Sequence, residues 1–135
     1  MKTKKMYVIA IKPKYAEAIY SGRKCWEFRK VPPPVGQAIL IYESAPVSRI
    51  TGYVAFDCSI TAMGAVGILY MVNASQFQDK KLTGIGKADL EKYVGGYKKV
   101  TALHVALAGK YDKPIDLKRS LVPQNWRTLR AMMKD

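Results

Sequence analysis

Apolar residues along this chain fall into short runs divided by charged or turn-forming residues, and the spacing inside each run predicts its element. Residues 6–11, MYVIAI, are β-branched and almost continuously apolar, the pattern of a strand covered on both faces. Lys12-Pro13 ends that run. PKYAEAIY then sets Tyr15 with Ile19 and Ala16 with Tyr20 four residues apart, so a helix is predicted over residues 13–20, with proline in its first turn and Ser21-Gly22 as its stop. Alternation takes over in SGRKCWEFRK, residues 21–30. In a strand over 25–30, Trp26 and Phe28 share one face while Cys25, Glu27 and Arg29 share the other. The prolines of VPPPVG donate nothing to a ladder and predict a stiff connection.

Residues 38–42, within QAILIYESAP, predict another buried strand, stopped before Pro46. In SRITGYVAFDCS, residues 48–59, Ile50, Val54, Phe56 and Cys58 alternate with Thr51, Tyr53, Ala55 and Asp57, and Gly52 breaks the first face as a bulge or bend does. GAVGILYMVNASQF reads as a core helix weakened by glycine, leaving open whether residues 62–79 form a lid over a cleft or a filler beneath it. GKADLEKYVGG predicts a helix with Leu90 and Tyr93 on its apolar stripe, ended by Gly95-Gly96. The last long strand is expected over residues 100–108. VPQNWRTLRAMMKD predicts a turn and a short basic helix. The order is β-α-β-β-β, helices, β. It predicts an α+β fold of one domain over residues 1–135, in which a mixed sheet closes as a small β-barrel with short helices at its rim.

Charge changes this picture. Lys plus Arg is 23 against 10 Asp plus Glu, a net of +13, and a field of that size concentrates polyanions, nucleic acid before membrane. Its distribution is uneven. Residues 1–30 carry nine basic and two acidic side chains, residues 31–79 only Arg49 against Glu43, Asp57 and Asp79, and the remainder thirteen against five. The middle therefore reads as core and the ends as partner-facing surface. Two cysteines, Cys25 and Cys58, are too few for a disulfide scaffold and lack a metal-binding spacing. The longest apolar stretch, residues 62–72, is too short to span a bilayer, and MYVIAI is too short for a signal peptide. A cytoplasmic protein without membrane contact, metal or cofactor is expected. Its oligomeric state is left open.

The assembled motifs resemble the ASCH domain, a branch of the PUA-like superfamily. The family pattern is a strand, a helix ending in Gly-x-Lys and a strand carrying Glu-x-Arg, met here by Gly22, Lys24, Glu27 and Arg29. A Pro-rich loop, ILIYESAP, ITGYVAF, an Asp-Lys-Pro-Ile run at residues 112–115 and a closing PQNW follow in order. The resemblance implies a cleft between the first helix and the barrel, and an association with RNA. Some small members act as amidohydrolases on N4-acetylcytidine and others as ribonucleases. Lys24 falls on the catalytic lysine of the former, but Glu27 stands where they carry a threonine nucleophile, and Asp89 matches their later carboxylate by context only.

Two readings follow. In the first, the chain binds RNA, a modified nucleobase or a nucleoside. Lys12, Lys14, Arg23, Arg29 and Lys30 would supply cations, Tyr15, Tyr42 and Trp126 rings, and Ser44 and Gln124 polar contacts. In the second, Lys24 and Glu27 hydrolyse RNA or an N4-acylated cytidine by acid–base chemistry through water. A plainer alternative makes Lys24, Glu27 and Arg29 a strand edge kept soluble by charge. Trp26 and Phe28, sharing a strand face, are expected in the core, as is the sole histidine, His104.

Overall fold

The N-terminal apolar run becomes an inner strand because partners are available on both its edges. In the computed structural model, which describes residues 2–133, β1 (Lys2–Ile11) pairs in parallel with β3 (Ala38–Glu43) and antiparallel with β6 (Trp126–Met133). β4 (Arg49–Met63) continues the sheet from β3, the long β5 (Lys99–Ile115) from β4, and the short β2 (Trp26–Arg29) from β5. The order is β2-β5-β4-β3-β1-β6, and β1 with β3 is the parallel pair. Three helices complete a mixed α+β fold: α1 (Pro13–Tyr20), α2 (Gly64–Asn73) and α3 (Lys87–Val94).

The pleat sorts the core. Val8 and Ile9 point to opposite faces, and both are fully buried. Ile9 joins Ile11, Ile39, Ile41, Val54, Phe56 and Leu103 beneath Ala16 and Ile19 of α1. Val8 joins Tyr42, Ile50 and Leu129 on the other side. A separate cluster gathers Trp26 and Phe28 with Ile68 and Val72 of α2, Leu90 and Val94 of α3, and Val100. This settles the ambiguous middle segment: α2 fills the core, and the irregular connection at residues 74–86, here called the strap, runs on to α3. The stripe of α3 is Leu90 with Val94, spaced four apart, and Tyr93 turns outward at 40% exposure.

Two expectations are corrected. WRTLRAMM is a strand rather than a basic helix. Its Leu, Arg, Ala and Met favour helix weakly, but the open edge of β1 offers eight residues of ladder and Leu129 a place beside Val8. The barrel is also not closed by backbone pairing: among the described residues no ladder joins β2 to β6. Pro32, Pro33 and Pro34 follow β2 almost at once and have no N–H to offer. Side chains span the gap instead. Arg29 Nη1 donates to Asn125 Oδ1 at 2.5 Å and Trp126 Nε1 to the Val31 carbonyl at 3.0 Å. No helix among the described residues is long and apolar enough to cross a membrane.

Gly52 sits where the β4 register shifts against both β3 and β5. A Cβ there would meet the Gly109 carbonyl oxygen and, at 2.6 Å, the Tyr20 hydroxyl. Backbone cannot move aside as a flexible side chain can. Gly52→Ala is therefore expected to cost about 3 kcal/mol, read as a lowered urea midpoint at unchanged slope.

Candidate functional site

The turn after α1 creates the site. Ser21-Gly22 folds the chain back so that the Arg23 and Lys24 amides both donate to the Ala18 carbonyl, at 2.9 and 3.0 Å. That reversal drives Lys24 inward, and its side chain is only 2% exposed. The strap closes over it. A Cβ on Gly84 would collide with the Lys24 stem, and Gly84 has a φ of +68°, so glycine suits both the space and the backbone. Lys24 Nζ donates to the Thr83 carbonyl at 2.7 Å, and the Cys25 amide donates to the Leu82 carbonyl at 2.7 Å.

Alternation in β2 then aims Glu27 and Arg29 toward the same hollow. Glu27 Oε1 lies 3.7 Å from Lys24 Nζ, and Glu27 Oε2 accepts from Arg29 Nη2 at 2.7 Å and Nε at 3.2 Å. Arg29 Nη2 also donates to the Ala10 carbonyl at 2.7 Å. Burial pushes the Lys24 pKa down, and the Glu27 charge only partly opposes it. Burial alone would raise Glu27, but the Arg29 and Lys24 charges overcome it and hold the carboxyl below its ordinary value.

These three groups floor a cleft of about 640 Å³ between α1, β2 and α3. Of the residues singled out from sequence, Lys12, Lys14, Tyr15, Lys24, Glu27, Arg29, Ser44 and Gln124 line it. Arg23 lies in an adjoining shallow hollow of about 280 Å³, its Nε donating to Ser21 Oγ at 2.8 Å. Lys30 is exposed beside the rim, its ammonium 5.3 Å from the Tyr93 ring centroid. Tyr42 and Trp126 do not reach the cleft. Tyr42 is buried with Val8 and Ile50 on the far side of the sheet, and Trp126 packs near Tyr7 with its indole N–H spent on Val31. Phe28 belongs to the core yet also forms part of the wall.

α3 supplies two cleft residues that the sequence reading passed over, Lys92 and Tyr93, beside Asp89, which the resemblance had marked by context only. Asp89, Lys92 and Tyr93 face the cleft from the side of the helix opposite Leu90 and Val94, and Ile85 of the strap completes the wall. Helical spacing carries that signal, since 89, 92 and 93 share a face. What it lacks is any indication that α3 packs across from α1.

The ASCH domain family model matches residues 9–81, more than half of the sequence, and that span carries the α1 turn, Lys24, Glu27 and Arg29. The chain belongs to the ASCH domain family. Among solved structures it is similar to an ASCH protein from Zymomonas mobilis, at 25% identity and a TM-score of 0.71 over 92% of this chain and 87% of that one. A tyrosine-to-phenylalanine variant of the Zymomonas protein aligns at 24% identity and 0.72 over 93% and 91%. No curated protein matches. With 92% of the chain covered, the likeness to these ASCH structures reaches beyond the matched family segment.

Within this ASCH domain, Glu27 is the counter-charge for two buried cations. Glu27→Gln is expected to destabilise the fold by about 3–5 kcal/mol at neutral pH, measured by urea denaturation. Because the folded carboxyl titrates below its unfolded value, this contribution is complete above about pH 4.3 and is lost as pH falls through the folded value. The gap between wild type and Glu27→Gln should therefore narrow only in acid.

Proposed function

We propose that this ASCH domain binds RNA, or a modified nucleobase or nucleoside, in the cleft between α1, β2 and α3. The observation that carries the reading is the arrangement of its lining. Tyr15, Phe28 and Tyr93 present rings, Lys12, Lys14 and Lys92 surround them with cations, and the floor is an ordered polar network. Rings stack on bases without regard to sequence, while lysines take phosphates. The volume falls in the range of small-ligand sites and suits one extruded base with its sugar. Ser44 and Gln124 at the margin offer a hydroxyl and an amide to a base edge. Membership in the family, with its association with RNA, points the same way.

A second reading draws on Lys24. A buried lysine of lowered pKa, open to a cleft, has the properties of a proton carrier, and hydrolysis of RNA or of an N4-acylated cytidine would use it with Glu27. Glu27 is the weaker half of that pair, because two cations hold it as a carboxylate and reduce its basicity.

Anisotropy titrations of a labelled mixed-sequence single-stranded RNA separate the readings. If Lys12, Lys14, Lys30 and Lys92 each neutralise one phosphate, log K should fall against log salt with a slope of about −3, and Lys12→Ala/Lys14→Ala should reduce that slope by about 1.4. Absence of binding, or binding indifferent to salt, would contradict the proposal. Incubation with N4-acetylcytidine and with RNA, followed by mass spectrometry, should leave both intact. Product that forms with wild type and vanishes in Lys24→Ala selects the hydrolytic reading.

A further inference from the structure

The most closely partnered ionisable group outside the cleft is the chain's only histidine. His104 stands on β5 opposite Trp26 of β2 and is 8% exposed. Its Nδ1 lies 2.8 Å from Asp57 Oδ1 on β4, and its Nε2 lies 3.0 and 2.9 Å from the two carboxylate oxygens of Asp79 in the strap. Phe77, also of the strap, stacks on the imidazole at 3.9 Å and 24°, and Trp26 meets it edge-on at 4.9 Å. One more titratable group belongs to the cluster. The Cys25 thiol, pushed up by burial and then by Asp79, stays protonated at neutral pH.

Proton counting decides what this arrangement can do. A neutral imidazole has one N–H, so with a carboxylate on each nitrogen one contact sets a lone pair against an anion. Only the imidazolium donates to both, through hydrogen bonds of the stronger, charge-assisted kind. Asp79 is also where the strap is anchored. Its carbonyl accepts from Trp26 Nε1 at 3.3 Å and from the Leu82 amide at 2.9 Å. Within a few residues follow the Leu82 carbonyl on the Cys25 amide, the Thr83 carbonyl on Lys24, and Gly84 against the lysine stem. The strap then runs through Ile85 into α3, and thus into one wall of the cleft.

We infer that His104 is a positioning residue whose protonation state sets how firmly the strap closes over Lys24. The imidazolium clasps Asp79 and holds the strap down. The neutral ring has an N–H for one carboxylate alone; with it kept on Asp57, Asp79 faces a lone pair and the segment that covers Lys24 and leads into α3 is loosened. Ligand affinity at the cleft then weakens as the ring loses its proton. The clasp stands on the geometry around His104. Its effect on RNA rests on the function proposed above.

The Cys25 amide is the natural reporter, because its partner is a strap carbonyl. In the full chain, its hydrogen-exchange protection factor at about pH 5.5 and about pH 8 is compared with that of an amide in the β1–β3 ladder. The NMR signals of the single imidazole report its charge in the same samples. Protection at Cys25 is expected to fall about tenfold toward the higher pH, the loss of one charge-assisted hydrogen bond, while the ladder amide is unchanged. Asp79→Asn keeps the side-chain shape without the charge and should abolish most of that fall. Equal Cys25 protection at both pH values overturns the proposal, whether or not the ring loses its proton. So does an Asp79→Asn protein that retains the full pH dependence. RNA affinity that ignores pH while Cys25 protection follows it counts against the reading of the cleft and leaves the clasp standing.

Discussion

Glu27 stands between Lys24 and Arg29 with almost no water to screen the three charges, and much of the cleft follows from that constraint. Removing a charge from water is costly unless it is paired and hydrogen-bonded. The chain meets this demand twice around one carboxylate, with a guanidinium bonded directly to it and an ammonium at 3.7 Å. Each cation is bound elsewhere as well. Lys24 reaches the strap through Thr83, and Arg29 reaches β1 through Ala10 and the approach to β6 through Asn125. The trio thus connects the turn after α1, a sheet edge, the strap and the far end of the sheet. A polar floor results, fixed in place before any ligand arrives.

Fixed polar groups beneath rings and cations form a division of labour. Lysines at the rim are exposed, which on the proposed reading suits phosphate attraction that carries little information. The floor is rigid and directional, suited to discrimination. Charge along the chain has the same division: the basic first thirty residues supply α1 and β2, the basic C-terminal part supplies α3, and the nearly uncharged middle builds β3, β4 and α2. The open sheet contributes too. Where no ladder joins β2 to β6 among the described residues, Arg29 and Trp126 act as cross-links, and the end of the cleft near Gln124 is held by side chains.

Local patterns made much of this legible. Pro13, the four-residue spacing in PKYAEAIY and Ser21-Gly22 define α1 to the residue, and the alternation of WEFR puts Glu27 with Arg29 and Trp26 with Phe28. Gly52 marks the bulge it suggested. What escaped depends on contacts distant in sequence. WRTLRAMM becomes a strand only because β1 needs a partner more than a hundred residues away; Tyr42 looks like a free ring until the other face of the sheet claims it, and Trp126 until it packs beside Tyr7 with its N–H on Val31. The strap has no regular period at all. Its place is given by three contacts to β2 and the preceding turn and by the Asp79 carboxylate on His104, none visible from spacing.

The claim that one shared carboxylate organises the site is tested most directly by a double-mutant cycle on Glu27 and Arg29, using Glu27→Gln, Arg29→Gln and the pair in urea denaturation. The account predicts a coupling free energy of about 2 kcal/mol or more. A coupling within about 0.3 kcal/mol of zero would show that the two side chains stand near each other without depending on each other, and would contradict it.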